Sequence, residues 1–277
     1  MDVERLTLTT ERGIRLSAIL TYAQLGANTT PTDDPDDTPH NALCACFAHC
    51  FACGKDFPAA ARLARALSYR GITSLRFDFM GLGAAEGDFS AATWSTYRED
   101  FATAVAALED RCGRACDLFI GHSFGGTVAL DAAIDHPDIG GIITIAAPFE
   151  PAHITRHFSA QAESLERDGV ARINLAGKAV DIGQVFVDSV RNATPPGQRL
   201  SQLHAPLLIL HAPSDHIVEI DNARKIFERA PHPKSFVALH ATDHLLSRPS
   251  HTDQVAALID AWSMPLRTSR NRRLAAD

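Results

Sequence analysis

The chain has 277 residues, of which 45% are hydrophobic and 21% charged. That is ordinary globular usage, with enough length to bury a core without staples, and it reads as one large domain. A formal net charge of −7 argues against a phosphate-backbone partner, so no nucleic acid is expected.

In chain order, residues 3–9 and 14–22 alternate in strand fashion around the turn Glu11-Arg12-Gly13 and predict an N-terminal antiparallel hairpin. Residues 26–41 carry Pro31, Pro35 and Pro39 with Asp33, Asp34, Asp36 and Asp37, and read as a solvated loop. They lack the ligand spacing and closing Glu of a calcium loop. Strands and helices then alternate. Strands are expected at 42–48, 73–79, 117–120 and 141–147, with helices at 57–69, 94–108 and 126–134. Residues 206–210 and 235–239 read as further strands, and 221–229 and 254–262 as helices. This alternation predicts an α/β fold, with a mostly parallel central sheet and helices on both faces.

The interval 148–203 is far longer than one crossover helix requires. A helix at 163–168 and a small hairpin at 172–182 around Gly177 are expected there. We read about 149–203 as a lid inserted over the strand ends of a domain spanning 1–266, where open α/β sheets bind ligands. Residues 267–277, with Arg267, Arg270, Arg272 and Arg273, read as a basic C-terminal tail. The start has no basic segment leading into an apolar run, and no apolar run reaches membrane-spanning length. The six cysteines are clustered (Cys44, Cys46, Cys50, Cys53; Cys112, Cys116) and read as reduced thiols of a cytoplasmic protein with no membrane partner.

Gly121-His122-Ser123-Phe124-Gly125 carries the most chemistry. It lies between a strand and a helix, the setting in which a serine hydroxyl is raised off the sheet on a turn too crowded for flanking side chains. The amide of Phe124 falls at the helix N-terminus, where developing negative charge is favoured. Serine needs a base, and the base needs a carboxylate to hold its tautomer. Asp215 and His244 each follow a predicted strand and supply the chain order Ser, acid, His. Glu150, at another strand end, is the rival acid. His211 and His216 lie near the acid, and Asp243 is expected to point away from the neighbouring ring. A second oxyanion donor is expected from the loop 49–56, at the amide of Phe51.

Other readings are weaker. Cys44, Cys46, His49, Cys50 and Cys53 are dense, but no second Cys/His pair completes a zinc site, so no metal is expected. Cys50 and Cys53 form a C-x-x-C that is either a dithiol pair or plain packing. The glycines of 81–87 follow a strand as a phosphate loop would, but no helix follows directly. None of Tyr22, Tyr69 and Tyr97 has a lysine four residues on. No cofactor is expected.

Together these residues resemble the α/β-hydrolase superfamily from Val3 to about Met264. The segments 47–56, 75–89, 210–215, 232–236 and 243–247 resemble, more closely, the hydrolase half of bacterial proteins fused to an OsmC-like domain. Only a short segment follows Trp262, so the resemblance carries over the hydrolase half alone and no peroxide-reducing role. It implies that Ser123, Asp215 and His244 hydrolyse an acyl bond without a cofactor. Where most of the superfamily has His-Gly, this chain has His49-Cys50. Serine at the elbow argues against haloalkane dehalogenase and epoxide hydrolase chemistry. The expected activity is cleavage of a carboxylic ester or thioester of a small molecule through an acyl-enzyme. The rivals are a proline-iminopeptidase-type aminopeptidase with Glu163 and Glu166 holding a free amine, a perhydrolase, and a non-catalytic binder on the same fold.

Overall fold

A computed structural model describes residues 2–24, 42–51, 53–175 and 178–274. The acidic loop read at 26–41, the hairpin tip at Gly177 and the final residues 275–277 lie outside the described residues.

Strands β1 (Val3–Thr9) and β2 (Arg15–Thr21) form the expected hairpin, with Val3 opposite Thr21. β2 joins β4 (Ile72–Phe77) antiparallel, and from there the sheet is parallel through β3 (Leu43–Ala48), β5 (Leu118–His122), β6 (Gly141–Ile145), β9 (Leu207–His211) and β10 (Lys234–Ala238). The order across the eight strands is β1-β2-β4-β3-β5-β6-β9-β10. Every parallel strand therefore ends at the same rim, which is where all the candidate site residues fall.

The central strands are buried on both faces, and their side chains divide with period two. In β3, Cys44, Cys46 and Ala48 enter one apolar cluster, while Leu43, Ala45 and Phe47 enter the other. The second cluster is closed by α1 (Pro58–Ser68) and α8 (Pro249–Leu274), through residues such as Leu63, Leu67, Val255 and Ile259. The first is closed by α2 (Trp94–Cys112) and α3 (Phe124–Ile134). α2 starts on a reciprocal cap: the Thr93 hydroxyl accepts from the Thr96 amide, and the Thr96 hydroxyl accepts from the Thr93 amide.

Between β6 and β9 the chain makes a 3-10 stretch (Pro151–Gln161), α4 (Ala162–Asp168), a hairpin of β7 (Val170–Leu175) and β8 (Lys178–Gly183), α5 (Gln184–Asn192) and α6 (Pro196–Arg199). Its Phe158, Phe186, Val190 and Leu200 join the first apolar cluster. After α7 (Asp221–Arg229) and β10, α8 runs well past the expected 254–262 and takes in the start of the basic segment. Arg267 is docked there, donating to the Arg70 carbonyl (2.7 Å) and pairing with Asp260 (2.9 Å). Among the described residues no helix is long and apolar enough to cross a membrane.

One expectation is corrected. Cys50 and Cys53 form a disulfide, while Cys44, Cys46, Cys112 and Cys116 are free thiols. The chain turns sharply as it leaves β3, and the Cys53 amide donates to the Cys50 carbonyl (3.1 Å). That turn brings the two Cα atoms to 5.4 Å, within bonding range.

Candidate active site

Ser123 occupies the junction of β5 and α3 with φ 53° and ψ −127°, a backbone conformation that costs a non-glycine residue about 1–3 kcal/mol. The turn is fixed from both sides: the Ser123 amide donates to Ile145 in β6, and the Gly126 amide to the Ser123 carbonyl, both at 2.8 Å. Its glycines are needed for space. A Cβ on Gly121 would lie 2.3 Å from the Gly125 carbonyl oxygen, and one on Gly125 would lie 2.3 Å from that of His49. The second contact presses the loop after β3 against the first turn of α3.

The three residues expected to act together meet. Asp215 stands in the loop after β9 and His244 in the loop after β10. His244 Nε2 lies 3.0 Å from Ser123 Oγ, and its Nδ1 lies 2.7 Å from Asp215 Oδ2. The carboxylate accepts from Nδ1–H, which leaves the Nε2 lone pair facing the hydroxyl. The other carboxylate oxygen accepts from the amides of Ile217 (2.9 Å) and Val218 (3.0 Å). Burial opposes the charge on Asp215. The hydrogen bond and charge of His244 and the two amides outweigh it, so its carboxyl titrates below the ordinary value. Ser123, Asp215 and His244 are all buried.

The Phe124 amide opens α3 and has no carbonyl of its own helix to reach. Among the described residues neither it nor the Phe51 amide has a hydrogen-bond partner. The two residues are neighbours, with ring centroids 5.5 Å apart. From the inserted segment, Phe186 and Phe158 pack on Phe51 at 5.1 and 6.3 Å. His153 and His157 also come from that segment. His153 pairs with Glu219 at 3.3 Å, and the two imidazoles are 6.4 Å apart.

The alternatives sort themselves spatially. Glu150 is exposed at the start of the 3-10 stretch, and His216 is exposed. His211 is buried: its Nε2 donates to the Val218 carbonyl at 2.7 Å and lies 3.7 Å from Asp215. Asp243 turns away from the site, accepting from the amide (3.0 Å) and hydroxyl of Ser247. In the glycine-rich stretch, Gly83 has no Cβ because the Asp78 carboxylate fills that space; a Cβ would lie 2.3 Å from it. A buried anion stands where a phosphate would have to go.

Three features were missed in the sequence. The Asp78 carboxylate accepts from the Lys55 amide (2.6 Å), the Lys55 ammonium (2.8 Å) and the Ala84 amide (2.9 Å), and so anchors the far end of the loop that carries Phe51. His122 donates from Nε2 to the His244 carbonyl, and burial pushes its pKa down to about 3. The Cys50–Cys53 bond brackets Phe51. Only the last had a sequence signal, the C-x-x-C spacing.

The family model described as "Serine aminopeptidase, S33" matches residues 53–179. No curated protein matches the chain. Among solved structures, the esterase domain of a Rhodothermus marinus protein is 34% identical, with a TM-score of 0.71 over 95% of this chain and 98% of that one. Two more distant structures share the fold. Est1E from Butyrivibrio proteoclasticus, solved with ferulic acid, is 17% identical, with a TM-score of 0.70 over 94% of this chain and 98% of that one. Mouse alpha/beta hydrolase domain-containing protein 10 is 18% identical, with a TM-score of 0.68 over 95% and 99%. With the expected sheet, the N-terminal hairpin and this level of identity over nearly its full length, the chain belongs to the α/β-hydrolase superfamily and is a hydrolase.

Proposed function

We propose that the protein is a serine hydrolase that cleaves a carboxylic ester or thioester of a small acyl substrate. The observation that carries this reading is the unbroken hydrogen-bond chain Asp215–His244–Ser123, together with the amides of Phe51 and Phe124, which have no partner among the described residues. Ser123 Oγ attacks the acyl carbon while His244 Nε2 takes its proton. The carbonyl oxygen becomes an oxyanion, held by the two amides. Collapse expels the alcohol or thiol, which leaves with the proton from His244. Water then repeats the sequence on the acyl-enzyme and releases the acid. Asp215 stabilises the imidazolium formed in each half. A cytoplasmic setting is part of the proposal, supported by the four free thiols.

The 34% identity to an esterase domain favours esters. The match to a serine aminopeptidase family favours a second reading, release of an N-terminal residue from a peptide. Glu163 and Glu166, the candidates for holding a free amine, are exposed on α4, which weighs toward the ester. Short p-nitrophenyl esters and aminoacyl-naphthylamides separate the two. We expect turnover of the esters, its loss in Ser123→Ala, and labelling of the native protein by a fluorophosphonate. Full ester turnover in Ser123→Ala would end the proposal.

A further inference from the structure

We propose that the Cys50–Cys53 disulfide positions the oxyanion donor at Phe51, and that its reduction by a dithiol lowers turnover. The inference rests on the ester-hydrolase reading above and adds a control to it.

The loop that carries Phe51 is held at three points. At one end, the His49 carbonyl lies against Gly125. At the other, the Lys55 amide and ammonium bind the buried Asp78 carboxylate. Between them, among the described residues, the span that contains Phe51 is closed by the backbone hydrogen bond from the Cys53 amide to the Cys50 carbonyl, which also accepts from His49 Nδ1 at 2.7 Å, and by the disulfide. An amide aimed at an oxyanion is useful only if its direction is fixed before the charge develops. One hydrogen bond of this kind contributes modestly, whereas a covalent closure removes most of the alternatives open to the intervening backbone.

The bond is not placed for disulfide exchange with large substrates, since both cysteines are only 4% exposed. It lies in a chain whose other four cysteines are free thiols, and in a reducing compartment a disulfide is commonly transient or redox-sensing. Reduction balances simply. One thiolate of a small dithiol attacks a sulfur of the pair and releases the other cysteine as a thiolate, which takes up a proton. The second thiol of the reductant then displaces the first cysteine. Two electrons pass to the protein, and the reductant leaves as its own disulfide.

The test measures kcat and KM for p-nitrophenyl acetate, together with the fluorophosphonate labelling rate, on the full chain. Each is taken before and after incubation with dithiothreitol, and again after reoxidation. Alkylation of the denatured protein with iodoacetamide counts the thiols, which should rise from four to six. Losing one oxyanion donor outright costs about 10²–10³ in turnover, so a loosened donor should cost at least about tenfold. We expect that fall in kcat with KM little changed, slower labelling, and recovery on reoxidation. The double variant Cys50→Ala with Cys53→Ala should start at the low kcat and not respond to dithiothreitol. A fall in melting temperature alone, with kcat kept, would mean the bond is merely structural. Unchanged kcat with six thiols counted overturns the proposal. If the buried bond resists the reagent, unchanged kcat in the double variant overturns it equally. Oxidised protein that neither turns over esters nor takes the label would instead overturn the hydrolase reading.

Discussion

His122 donates a hydrogen bond from Nε2 to the carbonyl oxygen of His244, 2.7 Å away, and so ties the residue before Ser123 to the backbone of His244. The two imidazoles lie 5.4 Å apart and both are buried. A phenylalanine at 122 would leave that carbonyl without its donor, at a cost of about 1–3 kcal/mol in stability. We expect His122→Phe to lose kcat with KM kept, and His122→Gln, whose amide nitrogen reaches a similar point, to restore much of it. Urea unfolding and steady-state kinetics check both. Full kcat in the phenylalanine variant would mean that the His244 loop needs no such tether.

Asp215→Asn keeps the shape of the side chain but can present N–H to His244 Nδ1, which favours the wrong tautomer. If the proposed mechanism holds, a loss of about 10⁴ in kcat is expected, the cost of replacing the acid of a Ser-His-Asp triad in this way. The measurement is ester turnover alongside circular dichroism. Folded protein with near-native rates would remove Asp215 from the mechanism.

Acid should destabilise the fold through its buried histidines, against Asp100, whose carboxyl burial raises to about 6 and which therefore works in the opposite direction. His122 is held neutral, with its pKa pushed from the ordinary 6.5 to about 3 by burial and by its neighbours His244 and His49, against the opposing charge of Asp215. Burial also lowers His211 and His153. Between pH 6.5 and 3 the unfolded chain binds a proton at 122 that the folded chain refuses. Stability is therefore full above that window and falls as pH drops through it, by up to about 1.4 kcal/mol per pH unit for one such group. Asp215, with its pKa lowered, keeps its stabilising charge until below its own ordinary value. Urea midpoints at pH 7 and pH 5 should differ in this direction, and His122→Gln should flatten the difference.

Gly125→Ala puts a methyl group 2.3 Å from the His49 carbonyl oxygen and 2.5 Å from that of Ala48. Both are backbone atoms of a buried strand end, and neither can yield cheaply. The loop bearing Phe51 must shift away from α3, so kcat should fall at least about 10²-fold, the cost of losing one oxyanion donor. Fluorophosphonate labelling of soluble variant protein measures it. Labelling at the native rate would show that the two elements need not touch.

The legible parts of this chain are those with local causes. The turn around Ser123 declares itself because its crowding demands glycine at 121 and 125. Asp215 and His244 could be found because each directly follows an apolar strand, and parallel strands end at one rim. The sheet followed from alternation alone, and so did the helix and hairpin of the insertion. What escaped depends on groups far apart in the chain. The partner of His122 is a carbonyl, which carries no residue-type signature, and it lies more than a hundred positions away. The Lys55–Asp78 pair joins two loops whose approach only the folded sheet decides. The C-x-x-C spacing permitted a disulfide, but the outcome turned on how tightly the chain bends after β3. The basic segment reads as a loose end when only its charges are counted; its arginines and its leucine also suit the helix that continues to Leu274.

Phe158, Phe186, Val190 and Leu200 of the inserted segment share one apolar cluster with the sheet, Gly197 sits flat against the Phe149 ring, and the Ser189 hydroxyl accepts from the Trp94 amide at 2.9 Å. A segment bonded so thoroughly to the sheet cannot swing away without wetting the core, so calorimetry should record one melting peak, with amide protons of α5 exchanging nearly as slowly as those of α2.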